Sequence, residues 1–132
     1  MQRAKCLPCS KEDLITTSDY ISIHVPLLDS TYHLLDAQKM STMKKTAKII
    51  NTSRGGVVDE GALYEAIKNG ALGGAALDVF EKEPATGNKL AELDNVILTP
   101  HIGAQTKEAQ SLAANVIGEK IIQILRDRKS VV

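Results

Sequence analysis

The chain has 132 residues, 43% of them apolar and 24% charged, with sixteen basic side chains balancing sixteen acidic ones. That is enough for one small domain with a real core, and the charge balance argues against nucleic acid or an anionic membrane as a partner. No apolar run approaches the ~20 residues of a membrane span and the start does not resemble a signal peptide, so the cytoplasm is the expected compartment.

In chain order, residues 4–7 read as a short strand. They overlap Cys6-Leu7-Pro8-Cys9, a C-x-x-C that can be a redox pair or half of a zinc site. His24, His33 and His101 are too scattered to complete a zinc site. Pro8 and Ser10 put the helix start after the second cysteine rather than at the first, where it would lower a thiol pKa. The pair therefore reads as two small strand or loop residues, and no metal is expected. Ser10 caps a short helix with Leu14 and Ile15 inward. Residues 20–25, β-rich, form a strand that stops at Pro26. Asp36 caps a short helix through about Met43.

Residues 47–52 form the second full strand. Asp59 opens a helix with Leu63, Ala66 and Ile67 at helical spacing, and Asn69-Gly70 closes it. Residues 73–79 are the third strand; its glycines and alanines lack bulk, so another backbone should approach closely. Residues 80–91 read as a long loop, 95–99 as the fourth strand, and 106–126 as a final helix with an apolar stripe from Ala109 to Leu125. Strands alternating with helices predict an α/β fold with a parallel sheet, its strands covered on both faces.

Ligands in such sheets bind outside the carboxyl ends of the strands, and three strands here end in reactive side chains. Arg54 follows the second in Asn51-Thr52-Ser53-Arg54-Gly55-Gly56, Asp78 and Glu83 follow the third, and His101 follows the fourth. A forked guanidinium suits a carboxylate ligand, and a cation, carboxylates and an imidazole at one edge point to acid–base work beside an anion site. Singly, each has a structural reading: an arginine paired with an acid, a buried capping acid, a solvated loop acid, a turn histidine.

His24-Val25-Pro26-Leu27, the Asn51 to Gly56 run, Ala76-Leu77-Asp78-Val79-Phe80, Glu83-Pro84 and Thr99-Pro100-His101-Ile102-Gly103-Ala104 resemble the nucleotide-binding domain of the D-isomer-specific 2-hydroxyacid dehydrogenases. Gly103 to Gln110 is most similar to the phosphoglycerate dehydrogenase branch. The resemblance implies an NAD-dependent oxidoreductase acting on a small 2-hydroxy or 2-keto acid, with Arg54, Glu83 and His101 catalytic. Arg54 would bind the substrate carboxylate and carbonyl oxygen, His101 would exchange the proton, and Glu83 would orient His101 and favour its imidazolium. Glu81, two residues earlier, lacks the following proline and is given no role. Asp78 would meet the nicotinamide carboxamide, and Val25, Thr52, Ser53, Arg54, His101, Gly103 and Ala104 would complete the cofactor-binding set.

A dinucleotide fingerprint needs glycines at i, i+2 and i+5 after a strand. The glycines here are 55, 56, 61, 70, 73, 74, 87, 103 and 118, and no two are two positions apart. The expectation is therefore an incomplete Rossmann-like parallel sheet. Residues 1–132 would be the C-terminal half of a dinucleotide-binding domain, without the pyrophosphate loop or the substrate domain. Alone, the chain should have little or no activity. Its strand at 20–25 would offer a bare edge for a homo-oligomer or a complementing chain. The alternatives are a non-catalytic binding half-domain, a truncated gene product completed by a partner chain, and, less favoured, a corepressor of the C-terminal-binding type.

Overall fold

The computed structural model describes residues 6–103 and 105–129. In order they form α1 (Lys11–Thr17), β1 (Tyr20–Ile23), α2 (Ala37–Ser41), β2 (Lys48–Asn51), α3 (Glu60–Lys68), β3 (Gly74–Leu77), a 3-10 helix (Lys89–Glu92), β4 (Val96–Leu98) and α4 (Lys107–Lys129). The chain divides into two units, one ending at His101 and one beginning at Ile102.

The helices start where the sequence caps them. Ser10 Oγ accepts from the Asp13 N–H at 3.0 Å, Asp36 Oδ1 from the Lys39 N–H at 2.8 Å, and Asp59 Oδ1 from the Ala62 N–H at 2.9 Å. Each satisfies a first-turn donor that no intrahelical carbonyl can reach. Lys39 Nζ also meets Asp36 Oδ2 at 2.6 Å, and these two bonds hold the Asp36 carboxyl below the usual aspartate range. α3 ends at Asn69-Gly70, with Gly70 at φ +68°.

The strands lie in a single parallel sheet in the order β1-β2-β3-β4. Ile21, Ile49, Ala75 and Val96 share one row across it, and Ile23, Asn51, Leu77 and Leu98 another. Side chains alternate faces along a strand, so both rows point to the same side. There they join Ile15, Met40, Leu63, Ile67, Leu72 and Leu90 in one core. The intervening row runs Ser22, Ile50, Ala76, Ile97. It is exposed at Ser22 and Ile97 and half-buried between. The expectation of strands covered on both faces is thus corrected: among the described residues one face carries the core. β1 lies at the edge of the sheet, as its expected bare edge requires.

Local expectations fail in further places, and β2, β3 and β4 are each shorter than the expected 47–52, 73–79 and 95–99. Cys6 and Leu7 are not in a strand, and residues 4 and 5 lie outside the described residues. Leu14 is 39% exposed and only Ile15 is buried in α1, because a seven-residue helix turns one narrow face to the core. Residues 24 and 25 lie beyond β1, whose ladder ends where Ile23 meets Asn51. The expected 80–91 loop runs into the 3-10 helix at Lys89–Glu92, capped by Asn88 Oδ1 on the Leu90 N–H at 3.0 Å.

α4 spans 23 residues, three beyond its expected end. Leu112, Val116, Ile117, Ile121, Ile124 and Leu125 of its stripe are exposed, and so is Ile122. Among the described residues no helix is long and apolar enough to cross a membrane.

The small residues at the start of the expected 73–79 strand, of which β3 takes up Gly74, have the expected cause. A Cβ at Gly73 would lie 2.6 Å from the Thr46 carbonyl oxygen, and one at Gly74 would collide with the Asn95 carbonyl oxygen. Gly73→Ala is therefore expected to lower the unfolding free energy by roughly 1–3 kcal/mol, the usual cost of overpacking. Urea denaturation checks it, and an unchanged midpoint would contradict the close approach.

Candidate active site

The turn after β2 is built by a buried amide. Asn51 is 2% exposed. Its Oδ1 accepts from the Ser53 N–H at 3.0 Å and from Ser53 Oγ at 2.8 Å, while its Nδ2 donates to the Arg54 carbonyl at 2.9 Å. Such Asx-type bonding substitutes for a sheet ladder that has ended. It leaves Thr52 and Arg54 exposed and Ser53 half-buried. The Arg54 guanidinium folds back, with Nη1 donating to the Ser53 carbonyl at 2.6 Å. The next residue has no room for a side chain, since a Cβ at Gly55 would collide with the Phe80 carbonyl. The turn after β2 is therefore pressed against the loop after β3.

That loop begins with Asp78, 5% exposed. The Asp78 N–H donates to the Asn51 carbonyl at 2.9 Å, and the Thr99 N–H donates to the Leu77 carbonyl at 2.9 Å. These bonds extend the ladders one step past the strands. Thr99 Oγ1 then donates to Asp78 Oδ1 at 2.6 Å, which ties the ends of β3 and β4 together. A buried carboxylate needs such partners to offset its desolvation.

Beyond this tie the two loops meet at Glu83 and His101. His101 Nδ1 lies 2.8 Å from Glu83 Oε2, and Glu83 Oε1 accepts from the Phe80 N–H at 3.2 Å. The histidine bond first, and the Phe80 N–H second, hold the Glu83 carboxyl below the usual glutamate range. Hydrogen bonds to the charged form of a carboxylate have that effect. His101 takes φ +52°, in the left-handed region where non-glycine residues are uncommon. A cavity of ≈ 290 Å³ opens at the pair, lined by Phe80, Pro84, Ala85, Thr86, Leu98 and Thr99 among others.

Glu83 and His101 are thus in direct contact, and Asp78 lies at the same strand ends. Arg54 occupies the neighbouring turn, and it makes no ion pair with a described carboxylate. Val25, half-buried, follows β1. Gly103 belongs to the C-terminal unit, and Ala104 lies outside the described residues. Sequence reasoning missed Asn51 and the Thr99–Asp78 tie. An asparagine two residues before a serine at a strand end is the available signal for the first.

The glycines decide how much of a dinucleotide these residues fit. Gly55 abuts the Phe80 backbone, and a Cβ at Gly56 would lie 3.5 Å from Leu27 and 3.6 Å from Tyr32. Gly55 is demanded by that close approach and Gly56 by its φ of +77°, and neither belongs to a dinucleotide fingerprint. The strand ends, with an exposed threonine, a half-buried serine and a buried aspartate, fit the smaller polar end of the cofactor.

A family model described as "D-isomer specific 2-hydroxyacid dehydrogenase, NAD binding domain" matches residues 1–103. The D-3-phosphoglycerate dehydrogenase of Methanocaldococcus jannaschii is 50% identical over 114 residues, 86% of this chain and 22% of that protein. A glyoxylate reductase of Thermofilum pendens is 48% identical over 116 residues, 87% of this chain and 34% of that one. The crystal structure of an Aquifex aeolicus D-lactate dehydrogenase complexed with NAD and lactic acid superimposes with a TM-score of 0.79 at 34% identity, covering 92% of this chain and 41% of that one. The chain therefore spans well under half the length of these relatives. With the parallel sheet, the matched family model and these identities in agreement, the chain belongs to the D-isomer specific 2-hydroxyacid dehydrogenase family, its residues 1–103 matching the NAD-binding domain.

Proposed function

We propose that these residues form the acid–base edge of an NAD-dependent dehydrogenase that interconverts a small D-2-hydroxy acid and its 2-keto acid, as in the phosphoglycerate dehydrogenase branch. The observation that carries this reading is the 2.8 Å contact between His101 Nδ1 and Glu83 Oε2 beside the cavity. With Nδ1 turned to the carboxylate, proton exchange with the substrate oxygen falls to Nε2. Glu83 fixes the ring and stabilises the imidazolium formed when the hydroxy acid is oxidised. Arg54 leaves Ser53 to take the substrate carboxylate and carbonyl oxygen through its forked donors.

NAD, when bound, accepts or returns the hydride. Asp78 would face its carboxamide, while Val25, Thr52, Ser53, Gly103 and Ala104 would line it. No pyrophosphate fingerprint occurs among the 132 residues. Alone they are accordingly a partial NAD-binding domain and turn over little or no substrate. A chain carrying the fingerprint, added along β1, completes the site. The exposed edge position of β1 also favours a second reading, a half-domain that binds such a chain without catalysis.

Steady-state NADH oxidation with glyoxylate, hydroxypyruvate and pyruvate separates the two. Activity is expected only when a complementing chain bearing the glycine fingerprint and the substrate domain is present. Its absence from that complex would contradict the catalytic reading, and normal turnover by the 132 residues alone would contradict the partial site. In the active complex, His101→Asn is expected to lower kcat about 10²–10⁴-fold, the usual share of acid–base catalysis.

The same pair sets a pH dependence. Because folding depresses the Glu83 pKa, Glu83 adds stability above the ordinary glutamate range, lost as pH falls through the depressed value. The stability gap between the native chain and Glu83→Gln should shrink on acidification; a gap independent of pH would refute the linkage.

A further inference from the structure

Two carboxylates, Glu81 and Glu83, stand two residues apart in the loop after β3. Glu81 is engaged just as specifically. Its Oε1 accepts from the Glu60 N–H at 3.1 Å. Glu60 Oε1 in turn accepts from the Glu81 N–H. Each residue therefore bonds its side chain to the other's backbone across 21 positions of sequence. The second oxygen of Glu60 accepts from Asn88 Nδ2 at 2.7 Å. One carboxylate on the first residue of α3 thus holds both ends of residues 81–88, the span that contains Glu83 and the cavity-lining Pro84, Ala85 and Thr86.

Two acids tolerate this proximity for identifiable reasons. Glu60 belongs to the first turn of α3 and Glu81 accepts from the Glu60 N–H, at the helix end where the dipole favours negative charge. His33 supplies a further partner, with Nε2 3.2 Å from Glu81 Oε1 and Nδ1 3.5 Å from Asp59 Oδ2. The loop's other anchors are the Gly55–Phe80 contact on its β3 side and Leu90, buried in the core just beyond Asn88, and the clasp fixes the stretch between them. A displacement of about 1 Å at a catalytic group is enough to cost rate.

We infer that Glu60 and Glu81 are positioning residues, whose reciprocal clasp holds the loop so that Glu83 meets His101 Nδ1. The inference rests on the acid–base reading of that pair, but its test reads ring chemistry rather than turnover. A neutral imidazole whose Nδ1–H is bound by a carboxylate is locked in one tautomer, and the ¹⁵N signals of the ring report it.

The experiment records histidine side-chain ¹⁵N spectra of the 132-residue chain at a pH where the rings are neutral. Glu83→Ala serves as the benchmark for a lost contact and His24 as the internal reference. Glu60→Ala removes the carboxylate that accepts from the Glu81 N–H and from Asn88 Nδ2, leaving only the Glu81 side chain on the Glu60 N–H and beside His33. Asn88→Asp keeps the cap on the 3-10 helix but sets a carboxylate against Glu60, so it loosens one anchor and decides the matter if Glu60→Ala does not fold. Glu60→Gln retains an acceptor for the Glu81 N–H. The first two variants are expected to move the His101 signals most of the way to the benchmark, and Glu60→Gln to leave them near their native positions. Native His101 signals in a folded Glu60→Ala or Asn88→Asp variant would overturn the inference. Failure of the complemented chain to oxidise NADH would count against the dehydrogenase reading and leave the clasp standing.

Discussion

A 2.8 Å contact between His101 and Glu83 requires two loops from neighbouring strands to arrive at the same place. The parallel sheet does most of that by register, since β3 and β4 pair from Ala75–Val96 to Leu77–Leu98. Beyond the last pair the side chains take over. Asn51, Asp78 and Thr99 continue the sheet's bonding into the loops, each with its polar atoms matched to a partner inside the fold. Buried polar groups are costly when left unpaired, so this network resists rearrangement. It fixes the directions in which the turns leave the sheet.

The loop acids show how environment separates chemically identical groups. Glu83 meets an imidazole beside the cavity, and its charged form is favoured by that bond and by the Phe80 N–H. Glu81 meets the amino end of a helix and a different histidine. One lines the cavity, and the other ties its loop to the start of α3. Asp59 combines capping of α3 with contact to His33, so the start of one helix organises three separate stretches of chain.

Much of this was legible in the sequence, and the reason differs from place to place. The caps at Ser10, Asp36 and Asp59 are local chemistry, complete within four residues. Gly73 and Gly74 announced a close backbone approach because missing bulk in a strand has few other causes. Glu83 and His101 were legible as strand-end residues, and through the family resemblance, although nothing local dictated their contact. The clasp of Glu60 and Glu81 was invisible, because it joins residues 21 apart and follows no period. Face coverage misled for a related reason. A run of apolar residues tells how a strand prefers to be surrounded, and Ile97, 67% exposed, shows that preference unmet within the described residues. Leu14 and Ile15 were equally apolar, and only packing distinguished them.

In the proposed function the sheet's carboxyl edge serves the reacting end of a dinucleotide, while the glycine fingerprint for its pyrophosphate does not occur among the 132 residues. That division is the central claim, and an NADH fluorescence titration tests it most directly. It should be run on the chain alone and on the chain mixed with a partner that bears a glycine fingerprint. Saturation in the presence of the partner and none in its absence is the expected result. Saturable binding by the 132 residues alone would contradict the division, and no binding in either case would contradict the assignment of this edge to the cofactor.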